Sequence, residues 1–132
     1  MPGKDQALRR LLIAMLAMPG FLCGPAVAQD AASLAGTWRG PWYRGMSSGV
    51  MTLEIARDGT GNVAFTNLET FGEAPVAFAR AGMQGDWFEF SAVGASGRDF
   101  KARLQRAAGA DALRGAGRYE GFQVRFDLQP AR

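Results

Sequence analysis

Short runs of alternating apolar and polar residues, each closed by a turn signal, recur between residues 33 and 129. The clearest run lies at residues 99–106, where Phe100, Ala102 and Leu104 alternate with polar side chains. A period of two is typical of β-strands with one buried face, and no stretch in this region has a convincing 3.6-residue period. The sequence therefore predicts an all-β domain.

Eight such segments can be distinguished, at residues 33–43, 49–57, 62–71, 76–81, 87–93, 99–106, 112–119 and 122–129. A bulge is expected at Asn67–Glu69, where the alternation slips, and in the fourth segment Val76, Phe78 and Arg80 share a face. Short turns join antiparallel neighbours, and eight strands suffice for a sheet to close. The expected fold is an eight-stranded antiparallel up-and-down β-barrel with no significant helix after the first 28 residues.

The first 28 residues have the three parts of a secretory signal peptide. A basic start is followed by the apolar run Leu11–Met18 and by the small-residue motif Ala26-Val27-Ala28. The apolar run is shorter than the roughly 20 residues that span a bilayer. We therefore expect cleavage between Ala28 and Gln29, a single barrel domain over residues 29–132, and a periplasmic or secreted location.

Removal of residues 1–28 would change the composition. The full chain has 15 basic and 12 acidic residues, whereas residues 29–132 keep 12 and 11, a net charge of +1. This near-neutral charge gives no reason to expect a nucleic-acid partner. The single cysteine, Cys23, would leave with the signal peptide, although a lipid anchor at Cys23 is an alternative.

The expected mature chain contains neither histidine nor cysteine. It therefore lacks the usual ligands of zinc, copper and haem, and the residues of Ser-His-Asp and Cys-His catalysis. No spacing selects a pair of carboxylates for acid–base work. We expect a binding module rather than an enzyme, with no cofactor.

The motif Gly36-Thr37-Trp38 opens the first predicted strand and resembles the Gly-x-Trp start of the lipocalin and avidin barrels, the calycin group. In those families the tryptophan plugs one end of the barrel, and the resemblance implies the same role for Trp38. The small periplasmic inhibitors of serralysin-type metalloproteases are similar in this respect, and their N-terminal arm enters the protease cleft. The stretch Gln29–Leu34 resembles such an arm, so protease inhibition is the alternative function.

Nine aromatic side chains are predicted to face the interior: Trp38, Phe65, Phe78, Phe88, Phe90, Phe100, Tyr119, Phe122 and Phe126. They either fill the barrel or line an apolar pocket for a small hydrophobic molecule, which Trp38 and Tyr119 would contact. Gly115 and Gly117 leave space on one wall, or mark a close packing contact or a bend.

Trp42, Tyr43 and Arg44 form a cluster at the end of the first predicted strand, in a Gly/Pro-rich segment that runs to Ser48 and is expected to form a loop. Trp, Tyr and Arg are the residue types enriched at binding hot spots. The cluster is therefore a candidate contact site for a ligand or an exported protein partner. Alternatively, the loop folds its rings back over the mouth of the barrel.

A set of basic residues falls on the outward positions of three consecutive strands: Lys101, Arg103, Arg114, Arg118 and Arg125. Consecutive strands of an antiparallel meander are neighbours, so these charges are expected to share one surface. That surface could bind a phosphate, a heparin-like chain or an anionic lipid. Decoration of solvated strands is the simpler interpretation, because it requires no partner.

Overall fold

A computed structural model describes residues 30–131 of the chain. These residues form nine strands: β1 Gly36–Arg44, β2 Ser47–Ile55, β3 Gly61–Phe65, β4 Val76–Ala77, β5 Arg80–Gln84, β6 Trp87–Val93, β7 Asp99–Arg106, β8 Leu113–Tyr119 and β9 Phe122–Pro130. A short 3-10 helix, Ala31–Leu34, precedes β1, and residues 30–131 contain no α-helix. The all-β prediction is therefore confirmed. The predicted signal peptide, its cleavage site and Gln29 lie outside the described residues.

All nine strands belong to one antiparallel sheet in the order β4-β3-β2-β1-β9-β8-β7-β6-β5. Consecutive strands pair, apart from β4 and β5, and β1 also pairs with β9, which sets Trp38 opposite Pro130. The sheet curls into a half-barrel with its apolar side chains on the inside. No helix within residues 30–131 is long and apolar enough to cross a membrane.

The fourth predicted strand is divided in two. β4 pairs with β3, whereas β5 pairs with β6 at the other end of the sheet order. Between them, the Phe78 N–H donates to the Gly61 carbonyl at 2.9 Å and the Ala79 N–H donates to the Ser91 carbonyl at 2.7 Å. The count is nine rather than eight because this one segment bends away from one neighbour and joins another.

The third predicted strand ends early, at Phe65, and the bulge expected at Asn67–Glu69 is absent. The chain instead leaves the sheet, with φ of 64° at Asn67 and 56° at Thr70. This connection returns Leu68 and Phe71 to the core, where both are buried. The alternation slips after Asn67 because these side chains reach the core from beyond the end of the strand.

Aromatic side chains fill the interior. Phe65, Phe71, Phe100 and Tyr119 make edge-to-face contacts with ring centroids 4.9–6.4 Å apart. Phe78, Phe88 and Phe90 form a second cluster with centroids 4.6–6.3 Å apart. Contacts of this kind stabilise by about 0.5–1.5 kcal/mol beyond the buried area. The sequence left open whether these rings fill the interior or line a ligand pocket. In the structure the rings pack against one another there.

One sequence-based expectation about the interior is corrected, and one of the alternatives for the two glycines of β8 is selected. Phe122, the first residue of β9, does not face inward and is 58% exposed. The Arg44 guanidinium carbon lies 5.0 Å from its ring centroid. Gly115 and Gly117 leave no free space on the wall. A Cβ at Gly115 would overlap the Arg103 carbonyl oxygen, and one at Gly117 would lie 2.9 Å from the Phe100 ring. The two glycines allow β8 to pack closely against β7.

Candidate functional site

The outer face of strands β5–β9 carries a groove of ≈ 770 Å³. Strand alternation explains its lining, since every second residue of β7 is buried and the residues between them face solvent. We call it the basic groove, and its main lining side chains are Arg80, Glu89, Ser91, Lys101, Arg103, Ala116, Arg118 and Gln123.

One row of side chains crosses the basic groove at right angles to the strands. The strand register sets the row as Arg80, Ser91, Lys101, Arg118 and Gln123, one residue from each of β5 to β9. Directly opposed residues have Cβ atoms about 4.5–5.5 Å apart. Lys101 and Arg118 therefore project side by side, and Arg80 lies two strands from Lys101. Half-buried Ser91 separates these two cations.

The three cations of this row make no ion pair with any residue between 30 and 131, whereas neighbouring cations do. Arg103 lies 3.8 Å from Glu89, Arg114 lies 2.8 Å from Asp127, and Arg106 lies 2.9 Å from Asp111. Like charges placed directly opposite each other destabilise a sheet. The row therefore concentrates positive charge that the described carboxylates do not neutralise.

Glu89 is the one carboxylate among the groove-lining residues named above. Its partner Arg103 also places its guanidinium carbon 4.3 Å from the ring centroid of Trp87, a cation–π contact. The Glu89 side chain is 46% exposed. The groove thus combines three cations that have no ion pair within residues 30–131 with one carboxylate that is open to solvent.

A smaller depression of ≈ 260 Å³ lies next to the basic groove, and its lining includes Tyr43, Arg114 and Arg125. Tyr43 is 43% exposed and lies opposite Arg125. The five cations singled out from the sequence all lie on the outer face of β7, β8 and β9. Lys101, Arg103 and Arg118 line the basic groove. Arg114 and Arg125 line the smaller depression.

Trp42, expected in a loop, is a fully buried residue of β1. Its Nε1 donates to the Thr66 carbonyl at 2.9 Å. Gly49 lies directly opposite on β2, and a Cβ at Gly49 would come within 2.7 Å of the indole nitrogen. Trp42 is therefore a core residue whose ring occupies the space left by a glycine, and it offers no surface to a partner.

Trp38 is also buried, with 4% of its surface exposed, close to the 3-10 helix. Its Nε1 donates to the Leu34 carbonyl at 2.9 Å. The Arg106 guanidinium carbon lies 5.4 Å from the ring centroid, and Arg106 Nη2 donates to the Ser33 carbonyl at 2.8 Å. These contacts fasten the N-terminal segment over the indole, so Trp38 is enclosed rather than available to a ligand.

The last two predicted contact residues, Arg44 and Tyr119, belong to a polar network centred on Glu120. Glu120 forms ion pairs with Arg98 and, at 3.6 Å, with Arg44, and it accepts a hydrogen bond from Thr70 at 3.1 Å. The buried Tyr119 hydroxyl lies 2.7 Å from Thr70 Oγ1. Burial acts to raise the pKa of Glu120, but hydrogen bonds from Thr70 and Arg98 and the charges of Arg98 and Arg44 outweigh it. The pKa therefore lies below its usual value of 4.5. The network joins the β3–β4, β6–β7 and β8–β9 connections.

Three residues that complete the basic groove were not among the predicted site residues: Arg80, Ser91 and Gln123. Arg80 was expected to share a face with Val76 and Phe78, but the bend at Phe78 and Ala79 turns it outward. A signal was present in the sequence, because a guanidinium aligned with two apolar side chains would be buried without a partner.

Within residues 30–131, no three histidine, cysteine, aspartate or glutamate side chains come together as metal ligands would. Comparisons of the chain with protein-family models, with characterised proteins and with solved structures found no match.

Proposed function

We propose that this protein is an exported, non-enzymatic binding module and that its ligand is an anion held in the basic groove. The observation that carries the proposal is the row formed by Arg80, Lys101 and Arg118. These three cations lie across one concave surface and have no ion-pair partner among residues 30–131. An anion placed on the row would supply the missing counter-charge and relieve the repulsion between Lys101 and Arg118.

The scaffold we infer is an eight-stranded, closed barrel of the lipocalin-like type. If β4 and β5 are one bent strand, the strand count returns to eight. The hydrogen bonds of Phe78 and Ala79 then link β3 to β6 and join the two ends of the sheet order. The enclosed position of Trp38 is consistent with the plug that the Gly-x-Trp resemblance implies.

The other proposed ligands and partners have weaker support. An apolar pocket for a small hydrophobic molecule would need interior space, which the packed rings occupy. Protease inhibition would need an extended N-terminal arm. Residues 31–34 instead form a 3-10 helix with Leu34 buried, and Arg106 and Trp38 hold its carbonyls. The outer groove is the better-supported site.

The test is a calorimetric titration of the protein lacking residues 1–28 with inorganic phosphate, polyphosphate and heparin. We expect Lys101→Glu and Arg118→Glu to lose binding. Arg39→Glu makes the same charge change on β1, outside the groove, and should retain it. Equal loss in all three variants would show that only net charge matters, and no binding by the wild type would refute the proposal.

Export is tested separately, by fractionating cells of the native host and measuring the mass of the purified protein. We expect a periplasmic or secreted protein that begins at Gln29. An intact protein beginning at Met1 in the cytoplasm would contradict this part of the proposal without affecting the groove.

A further inference from the structure

We propose that the ligand of the basic groove is a phosphorylated polyol, such as a sugar phosphate. This inference rests on the proposed function and adds the chemical class of the anion. Its basis is the arrangement of three kinds of group in one groove: unpaired cations, neutral hydrogen-bonding side chains, and one solvent-accessible carboxylate.

The groove is large enough to hold a small molecule. Its volume of ≈ 770 Å³ falls within the range of about 300–1,000 Å³ that is usual for small-molecule sites. The lining also includes the small residues Gly82 and Ala116, which lie level with Glu89 and Arg103 in the register. A compact ring can approach the sheet closely there.

The phosphate position is set by Lys101 and Arg118. Their side chains project from directly opposed positions on β7 and β8. Arg118 Nη2 donates to the Gly121 carbonyl at 2.9 Å, which orients the guanidinium and leaves its other N–H groups available. A phosphate accepts strong, charge-assisted hydrogen bonds from both residue types. This pair therefore provides a site for one phosphate group.

The polyol part is indicated by Glu89, Ser91 and Gln123. Ser91 and Gln123 flank the cation pair in the same row and offer a hydroxyl and an amide. Glu89 lies in the next row, where Arg103 holds it at 3.8 Å. A carboxylate accepts hydrogen bonds from sugar hydroxyls and repels further negative charge. The groove therefore favours an anion that has one phosphate and several hydroxyl groups over a densely charged chain.

The experiment compares glucose 6-phosphate, glucose, inorganic phosphate and heparin by calorimetry on the protein lacking residues 1–28. We expect glucose 6-phosphate to bind most tightly. Glu89→Gln should weaken the binding of glucose 6-phosphate about tenfold, which is the effect of one lost charge-assisted hydrogen bond. The same variant should bind inorganic phosphate as well as the wild type does, or better. Lys101→Gln should weaken both, and Arg39→Gln, outside the groove, should weaken neither. Unfolding curves establish that each variant is folded.

Two outcomes with these soluble probes overturn the inference. If heparin binds more tightly than glucose 6-phosphate and Glu89→Gln strengthens the binding of both equally, the groove binds anions without recognising hydroxyl groups. The proposed function would then stand and only the polyol assignment would fail. If no anion binds in a way that depends on Lys101, the proposed function fails as well.

The phosphorylated polyol could be a soluble molecule or the headgroup of a lipid. Phosphatidylcholine vesicles with and without a phosphatidylinositol phosphate distinguish the two sources. Sedimentation of the wild type with the phosphoinositide vesicles, lost in Lys101→Gln, would identify a lipid headgroup. Binding of soluble inositol phosphate without vesicle sedimentation would identify a free ligand. Binding to neither, together with no binding of glucose 6-phosphate, would overturn the inference.

Discussion

Lys101 and Arg118 lie directly opposite each other on β7 and β8, and neither forms an ion pair within residues 30–131. An opposite-charge pair at such a position stabilises a sheet by about 0.2–1 kcal/mol, and a like-charge pair destabilises it. The wild-type arrangement therefore lowers the stability of the free protein. We argue that an anion bound between the two residues offsets this cost.

The first prediction is that Lys101→Glu stabilises the free protein while it abolishes anion binding. We expect a gain of about 0.2–1 kcal/mol in the free energy of unfolding at low salt, because the introduced carboxylate would pair with Arg118. Urea unfolding measures the gain, and added salt should reduce it through screening. The free energy of unfolding of Lys101→Gln should lie between those of the wild type and Lys101→Glu. A Lys101→Glu variant less stable than both the wild type and Lys101→Gln would contradict the assignment of repulsion at this pair.

The second prediction concerns Trp42, which was expected in a loop but lies in the core. Trp42→Phe should lower the free energy of unfolding by about 1–3 kcal/mol, because the partly buried hydrogen bond to the Thr66 carbonyl is lost and the smaller ring fills less of the core. Tyr43→Phe, on the next residue but 43% exposed, should change stability by less than about 0.5 kcal/mol. Chemical denaturation of the two variants provides the comparison. Equal effects would argue against burial of Trp42.

The third prediction tests the close approach of β8 to β7 at Gly115. A Cβ there would overlap the Arg103 carbonyl oxygen and lie 2.7 Å from the Leu104 Cβ. Gly115→Ala should therefore destabilise by about 1–3 kcal/mol, the usual cost of overpacking. Gly82→Ala is the matched control, because a Cβ at Gly82 would meet no atom within 4 Å. If Gly115→Ala is as stable as Gly82→Ala in thermal unfolding, β8 is not held that closely.

The strands of the second half of the chain could be predicted from the sequence almost to the residue. Strands β6 and β7 have the predicted bounds, 87–93 and 99–106. Strict alternation is a local property, and each of these strands has one fully apolar face. The shared surface of Lys101, Arg114 and Arg125 could likewise be predicted, because it needs only consecutive strands to be neighbours.

The burial of Trp42 and the outward direction of Arg80 could not be predicted in the same way. Trp42 is buried because Gly49 on another strand leaves room for its ring. Arg80 faces solvent because Phe78 and Ala79 bond to different strands, which are distant in the sequence. Both depend on pairing between strands, and local periodicity contains no information about it. For the same reason the complete row of the basic groove emerges only from the register of five strands.

The last prediction concerns pH and the network around Glu120. Because the folded-state pKa of Glu120 lies below its usual value of 4.5, its ionised form contributes stability above that pH. This contribution is lost as the pH falls below 4.5 and through the lower folded-state pKa. We expect the wild type to melt at a higher temperature than Glu120→Gln at neutral pH. The gap between them should shrink steadily below pH 4.5.

Melting temperatures of the two proteins across this pH range provide the measurement. In proteins that also carry Arg98→Ala, the difference in melting temperature between Glu120 and Glu120→Gln should be smaller already at neutral pH. The reason is that Arg98 is one of the ion-pair partners of the Glu120 carboxylate. Glu69→Gln, at an exposed residue of the connection that Thr70 belongs to, controls for the loss of a negative charge. A gap between wild type and Glu120→Gln that stays constant down to the acid limit of folding would mean that the ion pairs of Glu120 do not hold the three connections together.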